Sequence, residues 1–517
     1  MGSPVYLGFD VGTSSSKGVL VNGDGTVVRT AIREHNVLRP RPGHVEMHGE
    51  IWWEEFTQVA AELTSHGDGE VVAVGVSGMG PCVLLTDTHG SPLRPAILYG
   101  VDTRSTEQID ELTTEFGAEE ILSRGGSALT TQAVGPKLAW VSKHEPDIFV
   151  RAKRLFMPAS FLAYRLTGQY GLDFHSASQC SPLFDAQSLS WYRPWTERIC
   201  PDLELPPLLW SDSPIGTVNA DVPGVPRGTP VTVGTIDAWS EAVSVGAQNP
   251  GDLMLMYGTT MFLICTVAEP IRTSSMWGTI GAFEGTHNLA GGMAASGAIT
   301  AWLHEMFGSP DYSTLLQEAE TSGIGADGLL MLPYFAGERT PIIDPKARGA
   351  ILGLTLMHRR GDLYRAALEA TAFGIRHNVE SMLAAGAQID RVVAVGGGTQ
   401  GTLWTQIVTD VTGLKQTIPT TTIGAAYGAA HLAARLVGNP DIDAWNPPER
   451  LLVPDPEAKS RYDQLYKLYL DSYTSTKNIS HQLSSYQSSA RETASSKSSP
   501  ASTDNALSLR SGAQHLL

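Results

Sequence analysis

Blocks of apolar residues in the first hundred positions predict strands over residues 5–10, 17–21, 27–32 and 71–77. Between the third and fourth, Trp52, Trp53, Phe56 and Val59 recur at helical spacing and predict a helix over 50–63. The stretch 102–230 reads as more helical, rich in proline and tryptophan, and predicts an insertion into a first domain. A strand over 230–233 then ends at Gly234-Thr235-Ile236-Asp237, with a helix predicted over 238–245. The second half restarts with strands over 253–257 and 261–267, then a helix over 298–307 and a long one over 362–385. A strand over 392–395 runs into Gly396-Gly397-Gly398, followed by helices over 403–411 and 424–436. This alternation predicts an α/β protein of two domains, 1–248 and 249–472. Ser, Thr, Gln and Ala dominate residues 473–517, and such a segment is expected to be disordered because it buries too little apolar surface.

Two of the predicted hairpins carry the same kind of turn. Asp10-Val11-Gly12-Thr13-Ser14-Ser15-Ser16-Lys17 and Tyr257-Gly258-Thr259-Thr260-Met261 each join two strands through glycine and hydroxyl residues. Outward-facing amides and hydroxyls at such a turn make a phosphate clamp, and its recurrence suggests two related domains serving one nucleotide. Neither is a P-loop or a dinucleotide fingerprint, since a strand and not a helix follows. Asp10 ends a buried strand, where a carboxylate needs a neutralising partner; a hydrated magnesium ion beside phosphate oxygens is one. Gly12 permits close backbone approach, Thr13 and Ser14 offer hydroxyls, and Lys17 offers a positive charge. Ordinary hairpins with polar turns are the alternative for either segment alone.

Length and composition narrow the class. The chain has 517 residues, 42% hydrophobic and 17% charged, in keeping with a globular enzyme of two large domains. A net charge of −17 argues against nucleic acid or an anionic membrane as partner, although a local cluster can still take a polyanion. The four cysteines have no metal or redox spacing and are expected to be free thiols in a reducing cytosol. No signal peptide precedes the first strand and no apolar run spans a bilayer, so a cytoplasmic location is expected.

Asp237 stands where an apolar strand meets a helix. It is either a helix N-cap or a general base for phosphoryl transfer, which needs in-line placement and a group to accept the hydroxyl proton. Gly297, at the start of a predicted helix, and Gly397 and Gly398, in the triple-glycine turn, either shape turns or admit a ligand to the backbone. Asp102 and Arg104 could fix sugar hydroxyls or form an exposed ion pair. His44, His48 and His175 show no ligand spacing and are assigned no metal.

Taken together these residues resemble the FGGY carbohydrate kinases of the actin/Hsp70/sugar-kinase superfamily, over about 5–436. Pro136-Lys137-Leu138-Ala139-Trp140 with His144-Glu145-Pro146 resembles one family signature. Gly349-Ala350-Ile351-Leu352-Gly353-Leu354, leading to Asp362 and Glu369, resembles the second, and Gly337-Glu338-Arg339-Thr340-Pro341 is also typical. The resemblance implies two ribonuclease-H-like domains about a central nucleotide cleft, the N-terminal one binding sugar and the C-terminal one nucleotide, with ATP and Mg2+ required. By position, Asp10, Gly12, Thr13 and Lys17 match the first phosphate motif, and Gly258 and Thr259 the second. Gly297, Gly398 and Thr402 match nucleotide contacts, and Asp237 matches the catalytic aspartate.

Within the family the chain looks most like the xylulokinases. Those usually carry Ser-Gly-Gln-Met-His-Gly where this chain has Ser77-Gly78-Met79-Gly80-Pro81-Cys82. Met79 and Gly80 thus fall at the sugar site, and Pro81 replaces a histidine. A ketopentose such as xylulose is the expected substrate, with another polyol or a sugar acid as alternatives. The resemblance allows a homodimer. Two other classes share parts of the pattern. An actin/Hsp70-like ATPase would lack the Pro-Lys-Leu-x-Trp segment. An inactive sugar sensor need not keep Asp10 and Asp237.

Overall fold

The computed structural model describes residues 3–497. Cα proximity divides the chain into two units. The first comprises Met1–Asp252, Cys265–Ala290 and Pro419–Pro448; the second comprises Leu253–Ile264, Gly291–Ile418 and Glu449–Leu517.

The first unit is built on a mixed sheet whose strand order is Pro214–Thr217, Pro230–Thr232, Glu70–Gly78, Pro4–Val11, Ser15–Asn22, Val27–Glu34, with Thr235–Ile236 also pairing Glu70–Gly78. The last three strands in that order form an antiparallel meander, while Glu70–Gly78 runs parallel to Pro4–Val11 and to Thr235–Ile236. Parallel strands bring their carboxyl ends to one edge of a sheet, the usual place for a ligand in such folds. Here register sets Asp10 beside Ser77, and Ser77 beside Thr235.

Helix Ala425–Arg435 lies against this sheet at backbone contact, although it was expected in the second domain. The reason is visible in the glycines. A Cβ on Gly8 would lie 2.0 Å from the Ala426 carbonyl oxygen, and one on Gly75 would lie 1.9 Å from that of Ala429. Strand glycines and helix alanines thus let two backbones meet where larger side chains would hold them apart. Helix Gly49–Thr64 covers the sheet with Trp52, Phe56, Val59 and Leu63, all in one buried cluster.

The stretch expected as an insertion is divided. Leu112, Ile121, Val134, Leu138, Phe184 and Ile199 belong to a separate apolar cluster. Helix Pro158–Thr167, however, places Phe161, Leu162 and Leu166 in the main core, and Pro214–Thr217 is a strand of the main sheet. A helical tally over 102–230 could not see that the chain returns to the sheet midway.

The second seven-stranded sheet has the order Trp277–Ile280, His287–Met293, Met261–Val267, Asp252–Tyr257, Arg391–Val395, Gln416–Pro419, Pro448–Leu452. Helix Arg360–Ala384 is buried along most of its length. Against it, Phe373 meets the rings of Tyr462, Tyr466 and Tyr469 at 6.1, 6.0 and 5.5 Å. Those tyrosines line one face of helix Pro456–Lys497, which continues well into the stretch expected to be disordered. Tyr473 and His481 both reach Asp344 Oδ2, at 2.8 and 2.7 Å. Ser480 Oγ accepts from the Arg348 amide, and Ser484 Oγ and Gln487 Oε1 accept from its guanidinium. Hydrogen bonds from a serine-rich helix face dock this segment, and an argument from apolar burial alone does not count them. Residues 498–517 of the expected tail lie outside the described residues.

Candidate active site

In the first unit, Asp10 and Lys17 are cross-strand partners at the mouth of the first hairpin. Ser77 Oγ donates to Asp10 Oδ1 at 2.8 Å, and Lys17 Nζ donates to the Ile423 carbonyl at 3.2 Å. The turn is tight: the Gly12 amide donates to the Ser15 carbonyl at 3.0 Å. Behind it, His35 Nε2 meets the Gly12 carbonyl at 3.0 Å and Nδ1 meets Glu55 at 3.0 Å. Two acceptors facing two ring nitrogens are both satisfied only by the imidazolium, and the Glu55 contact helps hold the His35 pKa above its ordinary value against burial. Ser14 is exposed at the tip. Thr13 Oγ1 lies 2.9 Å from the Tyr99 hydroxyl and also donates toward Met79 Sδ.

Asp237 is the first residue of helix Asp237–Ser244, and the capping position belongs to Ile236. Among the described residues its carboxylate makes no cap, and Oδ1 accepts from the adjacent Ala238 amide, at 2.7 Å. Burial pushes the Asp237 carboxyl up to about 7, with repulsion from Asp10 adding to the shift. Asp10 is itself pushed up to about 6 by burial, opposed by the Ser77 hydrogen bond and the Lys17 charge.

Glu241 joins this group, and the sequence reading missed it. Its carboxyl is pushed up to about 7 by burial and by Asp10. The signal was available, because residues i and i+4 share a helix face and Glu241 follows Asp237 by that interval. Asp10 thus raises both Asp237 and Glu241, while the Lys17 charge opposes the rise at Asp10 and Glu241. Such a donor set fits one hydrated divalent ion held by one or two carboxylates. Among the described residues no group of three or more His, Cys, Asp or Glu is arranged to enclose a metal by itself.

Met79 is buried, its amide donating to the Val11 carbonyl at 2.7 Å, so the strand end that carries Gly80 is tied to the first hairpin. Asp102 and Arg104 do form an ion pair, but a buried one. The guanidinium Nη2 lies 2.7 Å from Asp102 Oδ2, its Nη1 lies 2.7 Å from Glu46, and Trp140 stacks on it. Asp102 is fully buried and also accepts from the Val45 amide at 2.6 Å. These two residues therefore hold each other and the neighbouring loops.

In the second unit, the Gly258-Thr259 turn is bound to the start of helix Gly297–Met306. The Gly297 amide donates to the Gly258 carbonyl at 3.0 Å, and the Ser296 and Ala298 amides donate to that of Thr259. A Cβ on Gly297 would sit 2.7 Å from the Gly258 oxygen, so glycine is needed there for close approach. Gly396 has φ 92° and abuts the Tyr257 carbonyl, setting the triple-glycine turn beside the same strand end. The three glycines differ in use. Gly397 faces open space, whereas Gly398 is crowded by the Trp404 ring. Thr402 is exposed at the first position of helix Thr402–Thr412. Glu338, in a motif quoted above without a role, accepts from the Ala294 and Arg339 amides at 2.8 and 2.7 Å. Burial pushes its carboxyl up to about 7.

All four cysteines are buried and none is in a disulfide. No described helix is long and apolar enough to cross a membrane.

Comparison with known proteins agrees with this geometry. A xylulose kinase of Lactococcus lactis is 29% identical over 499 residues, covering 92% of this chain and 98% of that one. A glycerol kinase of Nocardia farcinica is 29% identical over 461 residues, covering 84% and 91%. The crystal structure of xylulose kinase from Rhodospirillum rubrum superposes with a TM-score of 0.86 at 31% identity, covering 92% of this chain and all of that one. The N-terminal domain of the FGGY family of carbohydrate kinases matches residues 5–244 and its C-terminal domain matches 253–437. The chain belongs to the FGGY family of carbohydrate kinases, ATP-dependent phosphotransferases of the actin/Hsp70-like two-domain fold.

Proposed function

We propose that the chain transfers the γ-phosphoryl group of ATP to a hydroxyl of a ketopentose such as xylulose, with Asp237 as general base. The observation that carries the assignment of the base is the Asp237 carboxyl. It lies at the carboxyl end of parallel strands, makes no helix cap, and is poised at about 7. A base with a pKa near the working pH combines a useful ionised fraction with a real affinity for the proton. The acceptor hydroxyl gives its proton to Asp237 as its oxygen bonds to phosphorus and the bond to the ADP oxygen breaks. Lys17 and the amides of the first hairpin supply positive charge and donors to the phosphates. Mg2+, held by Asp10, would neutralise phosphate oxygens.

In this reading residues 1–248 serve the sugar, with their first hairpin also serving the phosphates, and 249–472 serve the nucleotide, apart from 419–448, which the fold groups with the first unit. A cytoplasmic location and a homodimer belong to the same reading, and light scattering tests the second.

The relatives in Lactococcus and Rhodospirillum support xylulose as the acceptor. A second acceptor class is favoured by Pro81, which is buried and offers no side-chain hydrogen bond where xylulokinases carry histidine. Its neighbour Cys82 spends its thiol on the Met79 carbonyl. A site lacking one hydroxyl partner loses much of its preference for that hydroxyl. ADP release measured over ketoses, alditols and aldonic acids tests both readings. Preference for D-xylulose supports the first, and preference for an alditol or sugar acid supports the second. Turnover with none of them overturns both.

A further inference from the structure

We infer that Lys137 is a positioning residue, whose ammonium gathers the carbonyls of one loop and through that loop sets Tyr99 against Thr13 of the first phosphate hairpin. Lys137 is fully buried. Its Nζ donates to the carbonyls of Thr131, Gln132 and Ala133, at 2.5, 3.2 and 3.3 Å. An ammonium has three protons, and all three are spent on consecutive carbonyls of one chain segment. A buried cation without a carboxylate contact is costly unless its hydrogen bonds are complete, so the loop and the lysine fix each other.

The loop grips one glycine. Gln132 Oε1 accepts from the Gly100 amide at 2.9 Å, and Thr131 Oγ1 donates to the Gly100 carbonyl at 3.1 Å. A Cβ on Gly100 would lie 2.8 Å from the Gln132 amide carbon, so a larger residue there would push the Gln132 side chain aside. Gly100 follows Tyr99, whose hydroxyl lies 2.9 Å from Thr13 Oγ1. Lys137 therefore controls the height of Tyr99, and Tyr99 controls the rotamer of Thr13.

The groups facing the ammonium are Cys82, Asp102, Cys180 and Arg104, and burial among them lowers the Lys137 pKa to about 8. Its grip should weaken above that pH. The inference rests on Thr13 as a phosphate contact, so the test separates the two.

The experiment uses the full chain with Mg-ATP and D-xylulose, and ADP affinity by calorimetry as a readout independent of the sugar. Lys137→Met, Tyr99→Phe and the double variant form a cycle. Lys137→Met should lower kcat/KM and ADP affinity by about tenfold, and Tyr99→Phe should add little to it. The wild-type decline above pH 8 should vanish in Lys137→Met. Factors that simply multiply in the double variant overturn the inference, as does a folded Lys137→Met that binds ADP and turns over like wild type. If Lys137→Met does not fold, Gln132→Ala replaces it in the cycle, with the same expectation. Should Thr13→Val leave ADP affinity unchanged while the Lys137–Tyr99 coupling stands, the phosphate role of Thr13 fails and the positioning survives.

Discussion

Asp10 and Lys17 face each other across the first hairpin, where the Lys17 charge opposes the rise of the Asp10 and Glu241 carboxyls and Asp10 in turn raises that of Asp237. This crowding of carboxyls fits the proposed magnesium ion and phosphoryl transfer. It raises the proton affinity of each carboxyl, and the consequences can be measured.

The base comes first. Asp237→Ala should lower phosphorylation ~100- to 10,000-fold, the usual contribution of a general base, while ATP binding by calorimetry stays close to wild type. Near-normal ADP release from the variant would remove Asp237 from the mechanism.

The pH dependence follows from the same carboxyls. Asp237, pushed up to about 7, must be ionised to accept a proton, so kcat should fall as pH drops below that value. Asp237→Glu or Glu241→Gln should shift that acid limb. A rate flat from pH 5 to 8 would show that no group in this range gates the chemistry.

Stability should run the other way. The native carboxyls of Asp10, Asp237 and Glu241 hold protons more tightly than in the unfolded chain, where ordinary values of 3.8 and 4.5 apply. The folded state is therefore favoured most at low pH within this set. That contribution is lost as pH rises from about 4 through about 7. Asp10→Asn should then melt higher than wild type at pH 8 while needing more Mg2+ and turning over more slowly. A lower melting temperature at pH 8 would contradict this account.

His35 has the opposite sign. Its pKa is raised, so the stability it lends is complete below about 6.5, its unfolded value, and is lost as pH rises through the folded value. His35→Gln should cost roughly 1–3 kcal/mol at pH 6, as expected for a charge-assisted hydrogen bond. The cost should shrink by pH 9. A melting difference independent of pH would mean that the neutral ring suffices.

The C-terminal helix should matter to stability. Deleting residues 473–517 removes the bonds of Tyr473 and His481 to Asp344 and those of Ser480, Ser484 and Gln487 to Arg348. At ~0.5–1.5 kcal/mol per hydrogen bond, a loss of a few kcal/mol is expected, seen as a lower urea midpoint. An unchanged midpoint would return this segment to the role of a dispensable tail.

Some of this protein is written locally in its chain. The two glycine-bearing hairpins, the strand ending at Asp237, the helix bearing Phe56 and the glycine turn at 396–398 follow from short-range apolar period and turn chemistry, which neighbouring residues settle among themselves. Asp237 as a base in place of a cap was not decidable locally, because both roles put an aspartate at a helix start. The tertiary structure gives the capping position to Ile236 and sets Asp10, Ser77 and Thr235 side by side on parallel strands, which supports the proposed base. Glu241 shares a face of one helix with Asp237 by its i, i+4 spacing. Burial turned Asp102 and Arg104 from candidate sugar ligands into an ion pair wedged between Glu46 and Trp140. The close approach of Gly8 and Gly75 to a helix more than three hundred residues later drew 419–448 into the first unit. The last helix meets Asp344 through Tyr473 and His481, and Arg348 through Ser480, Ser484 and Gln487, all far apart in the chain. Periodicity reports which face of an element is apolar; which partner that face meets, and which charges meet with it, is a long-range outcome that only the tertiary structure decides.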